Sequence, residues 1–308
     1  MKLPKKIFHL KFFVFLTVFL GLTSCVKKVD IKAIDEYDPK PVMAGFISNN
    51  EGSEVFLSRS MKVYSPVSQN NTMDSASVYI KDGQTVLSLL QWDDGRYVSS
   101  FNGQPGEVYT VEAEFENGET VKARVDMPEI PLLSAEQMRL VPFRTQEDVD
   151  ELSDTVLIKV HFRLQDPPGQ HNYYQIIATG PYGESVCPAL SIDYHHLEPG
   201  PADRSGFYYQ GTYFFSDKDI DGQEVYFNVY FDHRYVSSSS DYMYFQIRQL
   251  NEDLYRYYSS LVRSGQLSGV VLSGTSSFSG ENIYSNVEGG LGTVGAYSQR
   301  KDSLEWVN

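Results

Sequence analysis

Short β-prone segments joined by tight turns constrain this fold more than any other feature of the sequence. Two segments meet at Asp82-Gly83 and two more at Asn117-Gly118. Asp-Gly and Asn-Gly favour the positive φ angles of two-residue hairpin turns, so each dipeptide predicts an antiparallel pair of strands. Before the second turn, Val111, Ala113 and Phe115 alternate with polar residues, which is typical of a strand with one buried face. The sequence therefore predicts a fold built from sheets.

The spacing of these segments predicts two β-rich domains. Residues 42–125 contain about seven short strands, which is typical of a β-sandwich of the immunoglobulin-like or transthyretin-like type. We therefore predict an N-terminal β-sandwich at residues 41–128, closed by Pro128 and Pro131. Residues 129–308 have further β-prone segments and long turn-rich connections, and they are predicted to form a larger β-rich domain with one helix. The predicted fold class is mainly β.

The helix is predicted between Asn251 and Gly265. Asn251 can cap its first turn, and Gly265 can end it. Between them Leu254, Leu261 and Val262 recur at the spacing of one helical face. We expect this apolar face to pack against the core.

The first residues have the organisation of a bacterial secretory signal. Residues 1–24 begin with several lysines and continue through an apolar stretch, Phe12–Leu22, that is shorter than the roughly 20 residues of a membrane-spanning helix. Leu22-Thr23-Ser24-Cys25 then resembles the lipobox, in which a cysteine thiol receives diacylglycerol before cleavage. We predict that Cys25 is the lipidated first residue of the mature chain, that residues 25–40 form a tether, and that the acyl chains hold the protein on a membrane. The alternative is a plain secretory signal that contains a cysteine.

The residue after Cys25 helps to predict which of the two bacterial membranes holds the protein. An aspartate there would resemble the signal that retains some lipoproteins in the inner membrane, and this chain has Val26. We therefore expect the outer membrane. An acidic run of the kind that directs some lipoproteins to the cell surface is not evident, so the periplasmic and surface faces both remain open.

The charge of the mature chain disfavours nucleic acid as a partner. The full sequence has 26 basic and 40 acidic residues, and the signal contains four of the basic ones and no acidic ones, which leaves a net charge of −18. A chain of this charge is repelled by nucleic acid and by anionic lipid surfaces. Only Cys187 follows Cys25, so no intramolecular disulfide is predicted.

A series of short motifs runs in a defined order along nearly the whole mature chain. In that order they are Val55-Phe56-Leu57-Ser58, Asp94-Gly95-Arg96-Tyr97, Gly106-Glu107-Val108-Tyr109-Thr110-Val111, Asn172-Tyr173-Tyr174, Phe215-Ser216-Asp217 and Gly295-Ala296-Tyr297. Together with the lipobox, this series resembles the DUF4249 lipoproteins of Bacteroidota. The resemblance implies an accessory role in uptake, because genes of that family often neighbour TonB-dependent outer-membrane receptors. It implies no catalytic residues and no cofactor.

One acidic turn is a candidate metal site. Asp217, Asp219 and Asp221 alternate before Gly222, as in the first half of a calcium loop, where carboxylate oxygens surround one cation. A complete loop of the EF-hand type needs a glutamate at position 228, which is Asn228, and its flanks should be helices, whereas these flanks are predicted strands. We therefore favour an acidic hairpin turn and keep calcium binding as the alternative.

Three short motifs resemble an O-glycosylation signal of Bacteroidota, which is an Asp followed by Ser or Thr and an apolar residue. They place the modified hydroxyl at Ser75, Thr155 or Ser303. The first two lie in predicted loops, where a transferase could reach them.

The remaining motifs predict no chemistry. His195 and His196 lie in a long loop without the spacing of known metal ligands. Gly290–Gly295 matches GxGxxG, but without the βαβ unit that dinucleotide binding requires. The GxSxG and HExxH motifs are absent, and Cys187 is interpreted as a small buried apolar residue.

Three functional hypotheses follow from these patterns. The first is a non-enzymatic binding or accessory lipoprotein that serves a TonB-dependent receptor, and the second is a structural or adhesion module of the cell envelope. The third is a hydrolase whose residues meet only in the folded chain, for which a cleft with paired carboxylates of shifted pKa would be the sign. A flat apolar patch would instead favour assembly with a partner.

Overall fold

The computed structural model describes residues 38–61, 73, 75–93, 96–143, 155–180, 206–209, 212–232, 242–264 and 282–305. The predicted signal, Cys25 and most of the predicted tether lie outside these residues. Residues from Pro39 onward form one compact unit. No helix among the described residues is both long enough and apolar enough to span a membrane.

The described residues form fifteen strands and one helix. In chain order the strands are β1 Pro41–Ser48, β2 Ser53–Arg59, β3 Ala76–Asp82, β4 Thr85–Asp93, β5 Arg96–Ser99, β6 Val108–Phe115, β7 Thr120–Asp126, β8 Leu133–Phe143, β9 Thr155–Gln165, β10 Tyr173–Thr179, β11 Phe207–Tyr209, β12 Thr212–Ser216, β13 Glu224–Asp232, β14 Tyr242–Leu250 and β15 Val294–Glu305, and helix α1, Glu252–Arg263, lies between β14 and β15. The prediction of a mainly β fold is confirmed.

The predicted hairpins form at both turn dipeptides. Gly83 joins β3 to β4 with a φ of 55°, and Gly118 joins β6 to β7 with a φ of 83°. Both glycines occupy the left-handed region that residues with a Cβ rarely adopt, which explains why the turn needs glycine there. Alternation in β6 is also confirmed, because Val111, Ala113 and Phe115 are buried.

Strands β1 to β7 surround the first hydrophobic core in a closed ring. The strands follow the order β1-β2-β5-β4-β3-β6-β7. A segment near the C-terminus joins the two ends of this row, because Glu288 exchanges backbone hydrogen bonds with Lys122 in β7 while Leu291 bonds to Pro41 and Met43 in β1. Residues 41–128 therefore need residues 287–296 to complete the core that they were predicted to form alone.

The second core lies between two sheets. One layer is the continuation of the large sheet, in the order β11-β12-β10-β14-β15, and the other is a separate sheet in the order β13-β9-β8. Large aromatic side chains fill the space between the layers, among them Phe162, Phe215 and Phe245. β15 belongs to both regions, because it pairs with β14 and runs parallel to β1.

Helix α1 begins and packs as the sequence predicted. The side chain of Asn251 accepts a hydrogen bond from the backbone N–H of Leu254, with a distance of 3.1 Å. Leu254 and Leu261 are buried. The helix lies against Phe214, Leu250 and Tyr297 on the outer surface of the large sheet. The apolar stripe is thus part of a small third core.

Candidate functional site

The acidic turn predicted as a calcium loop joins β12 to β13. Its three aspartates lie in different surroundings, since Asp217 is 1% exposed while Asp219 and Asp221 are exposed. The flanks are strands, as the hairpin interpretation predicted. Only Asp217 and Asp221 come together, and the third carboxylate of the cluster is Asp166, which follows β9.

The carboxylates of this cluster accept hydrogen bonds from two adjacent turns. Asp217 Oδ2 accepts from the backbone N–H of Asn172 at 2.7 Å and from the Asn172 side-chain amide at 3.2 Å. Asp166 accepts from the Tyr174 hydroxyl at 2.7 Å and from the Gly222 N–H at 2.9 Å. Asp221 Oδ1 accepts from the Gly169 N–H at 2.7 Å. These bonds tie the turn after β9 to the turn after β12.

The chemistry open to this cluster follows from its burial. Ligand oxygens of Asp166, Asp217 and Asp221 lie within 4.8 Å of one another, a spacing that a cation could bridge. Burial raises the pKa of Asp217, and the neighbouring charge of Asp166 adds to this, against the lowering effect of the Asn172 hydrogen bonds. Asp166 is 3% exposed and therefore as closed to a substrate as Asp217. This pair is not the accessible carboxylate cleft that the hydrolase hypothesis needs.

A second polar cluster surrounds Arg248 on the outer surface of the large sheet. The Arg248 side chain is 17% exposed, and its guanidinium lies 4.1 Å from the centre of the Tyr297 ring. It donates to Gln299 and Gln246 Oε1, each at 3.1 Å, and to Glu51 Oε2 at 3.3 Å. A nearly buried cation needs such partners, because its desolvation is otherwise costly. The cluster fixes Arg248 rigidly across β14 and β15.

Glu51 is the acidic partner of this cluster. Burial acts to raise its pKa, but hydrogen bonds with Gln299, Tyr297 and Lys301 and the charge of Arg248 outweigh burial, so the pKa is lowered. Tyr297 donates its hydroxyl to Glu51 Oε2 at 3.0 Å, and burial raises its own pKa. Glu51 therefore remains ionised and Tyr297 remains a neutral donor at neutral pH.

Beside this cluster, β14 presents two exposed tyrosines. Tyr242 and Tyr244 are 43% and 44% exposed. They alternate with the buried Met243 and Phe245 and share their face with Gln246 and Arg248. Together with Lys301 of β15, which lies opposite Gln246, these four side chains form what we call the tyrosine face. Rings that are held by a central strand and flanked by polar groups form a preorganised binding surface.

Sequence reasoning missed both clusters as spatial units. Asp166 precedes Pro167-Pro168-Gly169, a turn signature that was available, but nothing local indicated that Asp217 would be its neighbour. Glu51 and Arg248 are likewise distant from each other in the sequence. The alternation in Tyr242–Leu250 could have indicated an exposed polar face.

The predicted modification sites occupy three different positions. Ser75 is exposed in the bend before β3. Thr155 was predicted in a loop, but it is the first residue of β9, where it pairs with Phe143 of β8. Ser303 lies within β15 opposite Tyr244. Asp74 and Asp154, which belong to the first two motifs, lie outside the described residues. O-glycosylation at these positions stays a prediction.

The remaining cysteines, histidines and motif glycines lie partly outside and partly inside the described residues. Cys25, Cys187, His195 and His196 lie outside the described residues. His171 is exposed beside Asp217, with 3.8 Å between its Nδ1 and the Asp217 carboxylate, and His161 stacks on Tyr226. The glycines of the GxGxxG match serve close packing, since a Cβ at Gly292 would lie 2.2 Å from the backbone oxygen of Met43.

Comparison with known proteins gives a match over most of the chain. A family model described as "Domain of unknown function (DUF4249)" matches residues 26–303. No curated protein matches the chain. A solved structure from Corynebacterium diphtheriae, whose description proposes a membrane-anchored protein, is 11% identical, with a TM-score of 0.21. The match covers 70% of this chain and 55% of the Corynebacterium diphtheriae chain, so this chain spans about half the length of that protein.

Proposed function

Because the chain belongs to the DUF4249 family, we propose that it is an outer-membrane lipoprotein that acts as a non-enzymatic binding or accessory component of a TonB-dependent uptake system. The tyrosine face is the observation that carries the binding role. Its rings stay in water on a rigid strand, and Arg248 beside them is held by four neighbouring side chains. Such a surface binds without first paying the entropy of ordering its side chains.

The buried carboxylates support a role without catalysis. Asp166 and Asp217 form the one closely spaced pair of buried acids in the part of the chain described here, and turn hydrogen bonds occupy them. Their arrangement is explained by the joining of two turns. A binding protein needs no more than this from them.

The experiment that tests this proposal is purification of the lipidated protein from native membranes, with its partner identified by mass spectrometry. We expect a TonB-dependent receptor to copurify with the wild-type protein. A variant with Tyr242→Ala and Tyr244→Ala should lose most of the receptor while retaining its fold, because both side chains are on the solvent side of β14. Recovery of the receptor at the wild-type level would contradict the assignment to this face.

A structural or adhesion module is the second candidate, and one observation favours it. Strand β4 exposes Val86, Leu87 and Leu89, each at least 42% accessible, a group that we call the β4 patch. Clustered apolar side chains in water indicate contact with another surface. The variant with Leu87→Ser and Leu89→Ser is therefore the matched control, and loss of partners from this variant alone would favour the envelope module.

Membrane attachment requires its own test. We expect labelling with a palmitate analogue to mark the wild-type protein and to leave Cys25→Ser unmarked and uncleaved, because the lipid is attached through the cysteine thiol. Equal labelling of both proteins would overturn the lipoprotein assignment.

A further inference from the structure

The outer face of the smaller sheet is basic, although the chain as a whole is acidic with a net charge of −14. Strand β9, in the centre of this sheet, alternates buried apolar residues with three basic ones, which are Lys159, His161 and Arg163. Arg139 of β8 lies directly opposite Lys159. Arg139 and Arg163 are exposed, and Lys159 and His161 are partly exposed. We call these four residues the basic face.

Arg139 and Lys159 form a cross-strand pair of like charge. Residues opposite each other in an antiparallel pair have Cβ atoms about 5 Å apart, and like charges placed there destabilise a sheet. Among the residues that the structure describes, no carboxylate forms an ion pair with either side chain, whereas Arg163 binds Glu224 at 2.6 Å. Charges on edge strands prevent pairing with other chains, but β9 is a central strand, so this explanation does not apply to Lys159. An anionic partner would offset the repulsion.

An exposed aromatic ring borders the basic face. Tyr226 is 55% exposed and stacks on His161, with 5.6 Å between the ring centres and 9° between the ring planes. Its hydroxyl donates to Glu224 Oε1 at 3.1 Å, and Arg163 Nε donates to the same oxygen at 2.6 Å. These contacts hold the ring and the guanidinium in fixed positions. Tyrosine and arginine are enriched among the residues that dominate the energy of protein–protein binding.

The spacing of the basic face matches that of an extended acidic chain. Lys159, His161 and Arg163 occupy every second position of β9, so they follow one another at intervals of about 6.8 Å. An extended peptide with an acid at every second residue presents its carboxylates at the same interval. Guanidinium groups bind such carboxylates with two parallel hydrogen bonds. An anionic bilayer is a poorer partner, because the net charge of the whole chain is repelled by it.

We propose that the basic face binds an extended acidic segment of a partner protein, whose carboxylates contact Arg139, Lys159 and Arg163. The segment lies across the outer side of β8 and β9 and uses no backbone edge of the sheet. Opposite charges on the two surfaces also speed their encounter. This inference is independent of the proposed function, because the tyrosine face lies on the large sheet.

The test titrates the full chain in neutral detergent against a fluorescent peptide of about eight residues with glutamate at every second position. We expect saturable binding with a Kd below about 1 mM at low salt, and no binding of the same peptide with lysine in place of glutamate. The double variant Arg139→Gln with Lys159→Gln should weaken binding at least about fivefold, because two of the charges that face the peptide are lost. Absence of saturable binding to the wild type up to about 1 mM peptide would overturn the proposal.

The matched control is Lys122→Gln with Arg124→Gln on β7. It changes the net charge by the same amount on one face of an exposed strand, but Lys122 and Arg124 already have carboxylate partners in Glu288 and Asp126. We expect this variant to bind the peptide as the wild type does. An equal loss in both double variants would mean that the peptide senses only net charge. Displacement of the peptide by phosphatidylglycerol added to the detergent would assign the face to lipid, and either result would overturn the proposal.

Thermal unfolding separates a binding role of the basic face from a structural one. Arg139→Gln with Lys159→Gln removes a pair of like charges, so this variant should unfold at the wild-type temperature or above it. A lower melting temperature would show that the two side chains stabilise the sheet, and it would remove the reason for expecting an anionic partner.

Discussion

The two large cores of this protein are stabilised in different ways. The ring core is mostly aliphatic, and among the described residues its only buried aromatic side chains are Tyr97, Tyr109 and Phe115. In the part of the chain that the structure describes, the core between the two sheets has seven buried aromatic side chains. These are Phe162, Tyr174, Tyr213, Phe215, Phe227, Phe231 and Phe245. Stacked sheets are about 10 Å apart, so long side chains are needed to fill the space between them.

The two regions are also closed by different kinds of contact. The ring is closed by backbone hydrogen bonds from the segment at Glu288–Leu291 to β7 and β1. The layered region is held at one end by side chains, where Asp166 and Asp217 tie two turns together. The comparison teaches that the stability of the ring of strands depends on close approach of backbone segments. The stability of the layered region depends instead on packing of aromatic side chains and on buried carboxylates.

The largest expected effect is the loss of an aromatic ring from the layered core. Phe215 is fully buried and stacks on Tyr174 and Tyr213. We expect Phe215→Ala to lower the free energy of unfolding by about 3–5 kcal/mol, against about 2 kcal/mol for Val111→Ala in the ring core. Urea denaturation checks both values. Equal losses would show that the two cores do not differ in this way.

The second prediction concerns ring closure. Gly292 has a φ of 105°, and a Cβ there would lie 2.2 Å from the backbone oxygen of Met43, whereas at Gly83 a Cβ would meet nothing within 4 Å. We expect Gly292→Ala to cost about 2–4 kcal/mol, because both strain and a backbone clash oppose it. Gly83→Ala has only the conformational strain, about 1 kcal/mol. Thermal unfolding checks both values, and equal melting temperatures of the two variants would contradict the prediction.

The third prediction separates two aspartates of one turn. Asp217→Ala leaves the backbone N–H of Asn172 without its acceptor, so the free energy of unfolding should fall by about 1–3 kcal/mol. Asp219 is exposed, and Asp219→Ala should change stability by less than about 0.5 kcal/mol. Similar effects of the two substitutions would contradict a purely structural role for Asp217.

The fourth prediction is a pH dependence of smaller size. Because burial raises the pKa of Asp217 above its ordinary value of 3.8, the folded state binds this proton more tightly than the unfolded state. The wild type should therefore gain stability relative to Asp217→Asn as pH falls through the raised pKa toward 3.8, and lose that gain as pH rises. Unfolding free energies between about pH 4 and pH 7 check the sign. The opposite slope would mean that hydrogen bonds outweigh burial.

The smallest expected effect is that of calcium. The carboxylates near Asp217 already accept N–H and O–H donors from the chain itself. We expect millimolar calcium to shift the melting temperature by less than about 1 °C, because only a ligand that binds the folded state raises it. A rise of several degrees that Asp217→Asn abolishes would establish the calcium site instead.

Local sequence signals predicted the elements of this fold well. The turn at Asn117-Gly118 and the alternation before it specify a hairpin without reference to the rest of the chain, and the same holds for Asn251 and helix α1. Proline and glycine after Asp166 are a turn signal of the same kind, although no prediction was drawn from them. Such signals depend on backbone preferences within a few residues.

Contacts between distant segments could not be predicted in this way. Nothing near Glu288 indicated that this residue would pair with Lys122, and the boundary near residue 128 therefore missed the contribution of the C-terminal segment to the ring core. Likewise, Asp219 was grouped with Asp217 by spacing, although the strand geometry brings Asp166 to that place. Pairing partners and the burial of a charge depend on the assembled sheets.

The parallel pairing of β1 with β15 has a consequence for the order of folding. Gly45 is aligned with Val294, so two neighbours in the sheet are separated by most of the chain. Because a chain is synthesised from its N-terminus, strands β1 and β7 keep unpaired edges until the C-terminal segment has been made. Contacts of such long range form late in folding. Shielding of those edges by a chaperone during synthesis would then matter more for this protein than for one whose first domain closes on its own.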